Sequence, residues 1–464
     1  MDDVKRRKIL AIIGKFLIIA VFVVVAVVSA RAHEPWSDEA QSFLMARDNS
    51  VKEIVAWSKY EGTTPTWFMV IKLFLSLGGS YETYFLVPLL FTVIGLVIFE
   101  FKIKAPWYIR LLLPFTYFIL FQYTVIARSY CMVFPALMWI ASVYNEREKK
   151  KISYCLAMLF LMSICSFSMV IAGSLFLIDM IRMFREKKYD KKNIAVLLII
   201  MLGLLATFFV MLPNPDCSFH PGSSRGLFNV IYQATIGSRK FTVGGGIIVT
   251  LIVFISIAVA LSKEKDTKWK TLNLLILFVP VLMEVLMMAP QIWHAGNITI
   301  LLFAAFMMNG MINNNKIIKV LMVVICLVQI VWSGITIKYE IENNYSGSKD
   351  AAMFIKENSD KNRNIYGLGF DVTALQPYFS HNIFKNQNTD KSFWIWKNDN
   401  GYIQDETLLE DQDGIFVIGD LYLDGFRGIY DKLKERGYQE YYFEGNMFAK
   451  TYILETKGYY VLAK

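Results

Sequence analysis

Apolar residues fall in long runs separated by short polar stretches from residue 8 to about residue 337, and beyond that point the pattern stops. The first run, Ile9 to Ala30, is longer than a signal-peptide core and no convincing small-residue cleavage site follows it. It predicts a retained membrane-spanning helix. Further spans are predicted at Tyr84–Phe99, Leu111–Ala127, Met132–Tyr144, Ile194–Leu212, Ile247–Leu261, Leu272–Ala289, Ile298–Ile312 and residues 317–337. Ile152 to Asp179 has basic flanks at both ends and predicts two short helices turning near Ser166-Phe-Ser168. Thr66–Leu77, interrupted by Lys72 and closed by Gly78-Gly79, is too short to cross and predicts an interfacial or re-entrant helix. The sum is about eleven crossings.

The polar stretches sort by charge. Lys5 to Lys8, the segment with Lys102, Lys104 and Arg110, Asn145–Lys151, Arg182–Lys192, Ser262–Lys270 and Asn313–Lys319 are basic and alternate with stretches that are not. By the positive-inside bias the N-terminus is cytoplasmic, and an odd number of crossings puts the first long polar loop, residues 31–83, in the same extracytoplasmic compartment as residues 338–464. The small basic loops and retained first helix suit a bacterial plasma membrane. A hydrophobic content of 55% over 464 residues excludes an ordinary soluble protein. The net charge of +9 then reports orientation, not a nucleic-acid partner. Cys131, Cys155, Cys165, Cys217 and Cys326 show no metal-ligand spacing and no disulfide framework.

Residues 338–464 change character. Amphipathic helices over Ser348–Glu357 and Phe426–Arg436 alternate with strand-like Gly414–Ile418 and Tyr452–Leu454, predicting one small extracytoplasmic α/β domain after the transmembrane module of residues 1–337. Gly367-Leu-Gly369 lacks the third glycine and the context of a dinucleotide loop.

The candidate chemistry lies in His33–Phe68. Asp38 and Glu39 beside Trp36 form an acidic pair at the lip of a span, where charge is costly to hold. Ser37 can cap a helix running to Arg47, and Ser50-Val-Lys-Glu53 fits a capping box, so two helices lying on the membrane surface are expected. The acidic pair reads either as a complement to the helix dipole or as a general base with a possible metal role. Glu53 is accounted for by its cap, whereas Glu61 closes the loop opposite Asp38. Arg128 and Tyr130 end a span where an arginine can snorkel to headgroups or clamp a lipid-linked phosphate. His294, in an expected outer turn over Pro290–Gly296, is interfacial filler or a phosphate donor. The loop Pro213–Gly246 carries Asp216, His220, Arg225, Arg239 and Lys240, of which Asp216 and His220 are a weak metal pair. Tryptophans and tyrosines of the outer loops read as an interfacial belt, with sugar stacking the lesser alternative.

Trp36-Ser-Asp-Glu-Ala-Gln41, Glu61-Gly-Thr-Thr-Pro-Thr-Trp-Phe68, Ala127-Arg-Ser-Tyr130 and Trp293-His294 together resemble the GT-C superfamily of integral-membrane glycosyltransferases, in its bacterial branch related to protein mannosyltransferases and aminoarabinose transferases. The soluble tail from Tyr345-Ser-Gly-Ser-Lys-Asp-Ala-Ala352 is similar to the C-terminal domains of many such enzymes. Relatives often carry His or Lys just before the loop proline, where this chain has Thr63 and Thr64. The resemblance implies sugar transfer from a polyprenyl-phosphate donor to an extracytoplasmic glycan, lipid or protein acceptor, by single displacement with inversion. Asp38 would be the base and Glu39 would orient the acceptor or hold a divalent cation. Glu61, Arg128, Tyr130 and His294 would bind substrate, with Arg128 and His294 at the departing phosphate. A transporter of a lipid-linked or polar substrate, and a non-catalytic cell-envelope assembly protein, are the alternatives.

Overall fold

The computed structural model describes residues 3–219, 226–237, 242–287, 292–359, 363–387, 389–447 and 455–464. The bundle is built from α1 (Asp3–Ala32), α2 (Ser37–Asp48), α3 (Val51–Trp57), α4 (Thr66–Ser76), α5 (Leu86–Lys102), α6 (Trp107–Leu112), α7 (Val133–Val143), α8 (Lys151–Met162), α9 (Ser166–Glu186), α10 (Lys191–Met211), α11 (Leu227–Ile236), α12 (Val243–Ser262), α13 (Thr267–Met287), α14 (Ile292–Met308), α15 (Met311–Asn314) and α16 (Lys316–Glu342). Among the described residues, seven helices are long and apolar enough to cross a membrane: Lys5–Ala32, Tyr81–Lys102, Ser166–Glu186, Lys191–Met211, Val243–Ser262, Thr267–Leu286 and Lys316–Glu342. The chain is a multi-pass membrane protein. α10 shows why apolar composition alone does not make a core: Ile194, Leu198, Leu202, Leu205 and Phe209 are all exposed, as lipid-facing residues are.

Several expected elements differ. Leu111–Ala127 is not a continuous span but α6, a turn at Pro114 and a π-helical turn over Tyr117–Gln122. Pro114 cannot continue the hydrogen-bond ladder, and residues 117–127 are buried in protein, where broken backbone is tolerated. The freed backbone groups find partners: Thr92 Oγ1 donates to the Tyr123 carbonyl at 3.0 Å and Thr124 Oγ1 to that of Ile119 at 2.6 Å. α7 is an 11-residue α-helix continued by 3-10 turns over Ser129–Met132 and Tyr144–Glu146. The hairpin over Ile152–Asp179 breaks at Ser163–Cys165, and its second helix, α9, continues to Glu186 at spanning length. Ser168 lies in the first turn of α9, where its hydroxyl accepts from the Cys165 backbone N–H at 3.0 Å. The Pro213–Gly246 loop contains α11, whose Val230, Ile231 and Ala234 are buried at helical spacing. His294 lies in the first turn of α14, not in a loop. His220, Arg225, Arg239 and Lys240 fall outside the described residues, as do Pro290 and Tyr452–Leu454.

α2, expected on the membrane surface, is packed inside protein. Its residues from Glu39 to Ala46 are buried, with α4 on one side and a 3-10 segment, Asp371–Tyr378, on the other. The cap of α2 is Trp36, because the Glu39 carboxylate reaches back to the Trp36 N–H at 3.3 Å. Ser37 is thereby free to bond elsewhere. The capping box at Ser50 is formed as expected, with Ser50 N–H donating to Glu53 at 2.7 Å.

The C-terminal domain consists of α17 (Ser348–Asn358), β1 (Ile365–Leu368), β2 (Ile415–Gly419), α18 (Arg427–Glu435), β3 (Gln439–Phe443), a short ribbon of β4 (Asn446–Met447) with β5 (Glu455–Thr456), and β6 (Tyr459–Ala463). The main sheet runs β1-β2-β6-β3, with β1 and β2 parallel and β6 antiparallel to both neighbours. Gly367 sits inside β1, where an added Cβ would lie 2.8 Å from the Phe384 ring. Close packing, not a nucleotide, accounts for the glycine.

Candidate active site

The site forms where α1 ends and α2 begins, beneath the C-terminal domain. His33 follows the last residue of α1 and is buried between two carboxylates. It donates from Nε2 to Glu39 at 2.9 Å and from Nδ1 to Glu340, near the end of α16, at 3.1 Å. Burial alone would lower the imidazole pKa, but the two carboxylates prevail and hold it at about 10, so His33 is a cation. The other Glu39 oxygen accepts from the Ala127 N–H at 2.6 Å. Glu39 therefore fixes the residue that precedes Arg128; its oxygens accept from His33, Trp36 and Ala127.

Successive helix residues point about 100° apart, so Asp38 emerges on a different side of α2 from Glu39. There it meets Arg128, whose Nη1 donates to Asp38 Oδ2. The two side chains retain 21% and 25% exposure, enough for a ligand to reach them. The guanidinium lies 5.8 Å from the centre of the Tyr130 ring, and Tyr130 packs edge-on against His294 at 5.5 Å. His294 Nδ1 is 3.5 Å from the Glu284 carboxylate on α13, which is almost fully buried. A continuous polar line thus runs from Asp38 through Arg128, Tyr130 and His294 to Glu284.

Glu61 approaches from the loop between α3 and α4. Gly62 makes this turn at φ +62°, a conformation that favours glycine, and a Cβ there would come within 3.2 Å of Phe219. Gln41, one turn beyond Asp38 on α2, donates to Glu61 Oε1 at 2.7 Å and to the Trp394 carbonyl at 2.8 Å, and accepts from the Trp394 N–H at 2.8 Å. Burial raises the Glu61 pKa to about 8, the Asp38 charge adding to it against the Gln41 hydrogen bond. At neutral pH Glu61 is a protonated carboxyl whose carbonyl oxygen receives Gln41 and whose hydroxyl can donate.

The C-terminal domain grips the same loop. Ser37 donates to Asp371 at 3.0 Å, Asp371 faces Lys457 at 3.7 Å, and the Lys457 ammonium stands 4.9 Å over the Trp36 ring. Glu34 accepts from Ser348 Oγ at 2.8 Å and the Lys349 N–H at 2.6 Å at the start of α17. Burial raises the Glu34 pKa to about 7 despite those two donors.

Of the residues expected from sequence, the structure brings Asp38, Arg128, Tyr130 and His294 into one line and joins Glu61 to them through Gln41 and electrostatics. Asp216 lies apart, bonded to the Tyr60 hydroxyl at 2.9 Å and Lys397 at 3.4 Å. Among the described residues, no three His, Cys, Asp or Glu side chains gather as metal ligands. His33, Gln41, Glu340 and Trp394 carried no expectation; only the position of His33, polar at the very end of a span, could have drawn attention to it. A separate apolar cavity of about 280 Å³ lies within the bundle, lined by residues such as Ile231, Val253, Phe254, Phe278 and Leu302.

Two solved structures match almost the whole chain. They are ArnT from Cupriavidus metallidurans bound to undecaprenyl phosphate and the same protein in the apo state, each with a TM-score of 0.59, 12% identity and 97% of both chains covered. This chain has the GT-C fold. Neither a protein-family model nor a curated protein matches it. The candidate site lies where the helical module meets the C-terminal domain, and both parts supply residues to it.

Proposed function

We propose that this chain is a membrane glycosyltransferase that moves a sugar from a polyprenyl-phosphate donor to an acceptor on the extracytoplasmic side, with the N-terminus cytoplasmic. The observation that carries the reading is the accessible Asp38–Arg128 pair, a carboxylate and a guanidinium held side by side on a rigid frame. The undecaprenyl phosphate bound to the ArnT structure supports a lipid phosphate as the ligand class. The apolar cavity has the chemistry a prenyl chain needs.

The reaction assigns each group a task. Planar guanidinium geometry suits phosphate oxygens, so an arriving donor draws Arg128 toward its phosphate and releases the Asp38 carboxylate. Asp38 then takes the proton of the acceptor hydroxyl as that oxygen bonds to the anomeric carbon. The bond from the same carbon to the phosphate oxygen breaks, and polyprenyl phosphate leaves with the electron pair. Arg128, with Tyr130 and His294 behind it, stabilises the charge that develops there. Protonated Glu61 donates a hydrogen bond to a sugar hydroxyl. Glu39 and His33 are positioning residues that hold Ala127, and with it Arg128. One displacement inverts the anomeric configuration. The test is transfer of labelled sugar from a polyprenyl-phosphate donor pool to endogenous acceptors in membranes matched for expression. Asp38→Asn is expected to lower transfer by about 100-fold or more; equal transfer by both proteins would overturn the assignment.

A further inference from the structure

We infer that Phe370, Trp394 and Trp396 of the C-terminal domain, with Phe219 at their edge, form a carbohydrate-binding platform that seats the acceptor glycan beside Glu61 and Asp38. The inference deepens the transferase reading and rests on it for the word acceptor, while the binding itself stands on the geometry of the rings. Trp394 and Trp396 flank Ile395, and a tight turn at Trp396 is closed by the Lys397 N–H donating to the Ile395 carbonyl at 2.9 Å. Ile395 is buried at 8% exposure and both tryptophans are half-buried. Their rings lie 6.1 Å apart; Phe370 is 5.0 Å and Phe219 5.8 Å from Trp396. Phe219 is 42% exposed. Among the described residues, neither indole N–H has a hydrogen-bond partner, and both reach solvent.

The rings are held firmly. Gln41 clamps both backbone groups of Trp394, Ser218 N–H donates to the Trp396 carbonyl at 3.2 Å, and Asn398 N–H donates to the Asp216 carbonyl at 2.9 Å. The rim is polar, with the Asp216–Lys397 pair and the Tyr60 hydroxyl beside it. A pyranose has an apolar C–H face and a hydroxylated edge. Rigid indoles with unpartnered N–H groups inside a rim of charges match both surfaces, and a purely apolar ligand would leave the rim unused. The placement also favours a glycan over an interfacial belt. Phe219 contacts the Gly62 turn of the site loop, and one side chain, Gln41, bonds Trp394 and Glu61 together.

Saturation-transfer NMR on the full-length protein in detergent micelles, with N,N′-diacetylchitobiose, methyl β-glucoside and methyl α-mannoside as probes and no donor present, tests this. The expected result is saturation concentrated on the C–H protons of one sugar face for at least one probe. The apparent affinity should fall roughly three- to tenfold in Trp396→Ala and largely recover in Trp396→Phe. No transfer from the protein to any probe, or equal transfer in wild type and Trp396→Ala, would overturn the platform. So would a Trp396→Ala protein whose sugar response is intact and whose partition into phosphatidylglycerol vesicles is reduced, which would make the rings a membrane anchor. Because no turnover is needed, failure of the Asp38 assignment would leave this result standing, and failure of the platform inference would leave the Asp38 assignment standing.

Discussion

The two ends of α9 bring the same residue types into opposite conditions. Toward its Glu186 end, Asp179, about 20 Å along the helix from Ser166 at 1.5 Å per residue, receives Arg147 at 2.8 Å and Tyr154 at 2.6 Å, and Glu148 receives Lys188 at 2.7 Å. Each acid there is matched by bases and hydroxyls of the protein. Toward the Ser166 end, among the described residues, Asp38 pairs with Arg128, Glu61 has one amide donor, and Glu284 has His294 at 3.5 Å. Saturated pairs hold a bundle together. Unsaturated ones, held at some cost in stability, are where a ligand can supply the missing partner.

The sharpest way to break the comparison is to remove a charge from the frame behind the site. His33→Gln would leave Glu39 and Glu340 facing each other, with an expected loss of about 3–5 kcal/mol in unfolding free energy. Because folding raises the His33 pKa, its contribution is complete below the ordinary value of 6.5 and fades as pH rises toward about 10. Thermal melts of the wild type should therefore fall over that interval, and those of His33→Gln should be flatter. Arginine removal separates the two ends directly. Arg128→Ala is expected to lower transfer about 100-fold, measured as labelled product, whereas Arg147→Ala should lower the melting temperature and leave transfer within about twofold.

Glu61→Gln probes a smaller effect. The wild type should lose donor affinity as pH rises through about 8, where Glu61 gives up its proton, and the amide variant should show no such limb. Smallest is Ser50→Ala, which removes a cap away from the polar line and should cost about 1 kcal/mol of stability with unchanged transfer.

The spans α1, α10 and α12 were legible because lipid demands unbroken apolar helices, and their sequences show nothing else. The stretch 107–127 was not, since leucine and phenylalanine face protein as readily as lipid and the local pattern does not say which. Asp38 and Arg128 were each legible as candidates, but their pairing crosses 90 residues of chain and no spacing rule reports it. Glu39 was the instructive case: adjacent to Asp38 in sequence, it turns about 100° away and becomes part of the frame. The pairing of Gln41 with Trp394, across 353 positions, had no signal at all.

The grip of Lys457 on Trp36 has a consequence for how the protein is born. Lys457 is translated 421 residues after Trp36 (457 minus 36), which at roughly 5–20 residues per second is a delay of about 20–80 s. Until then Trp36 lacks its cation and the Asp371 carboxylate lacks its counter-charge. A nascent chain thus passes through insertion of its first spans with its reactive loop unclasped, and the clasp closes only after Lys457 has left the ribosome.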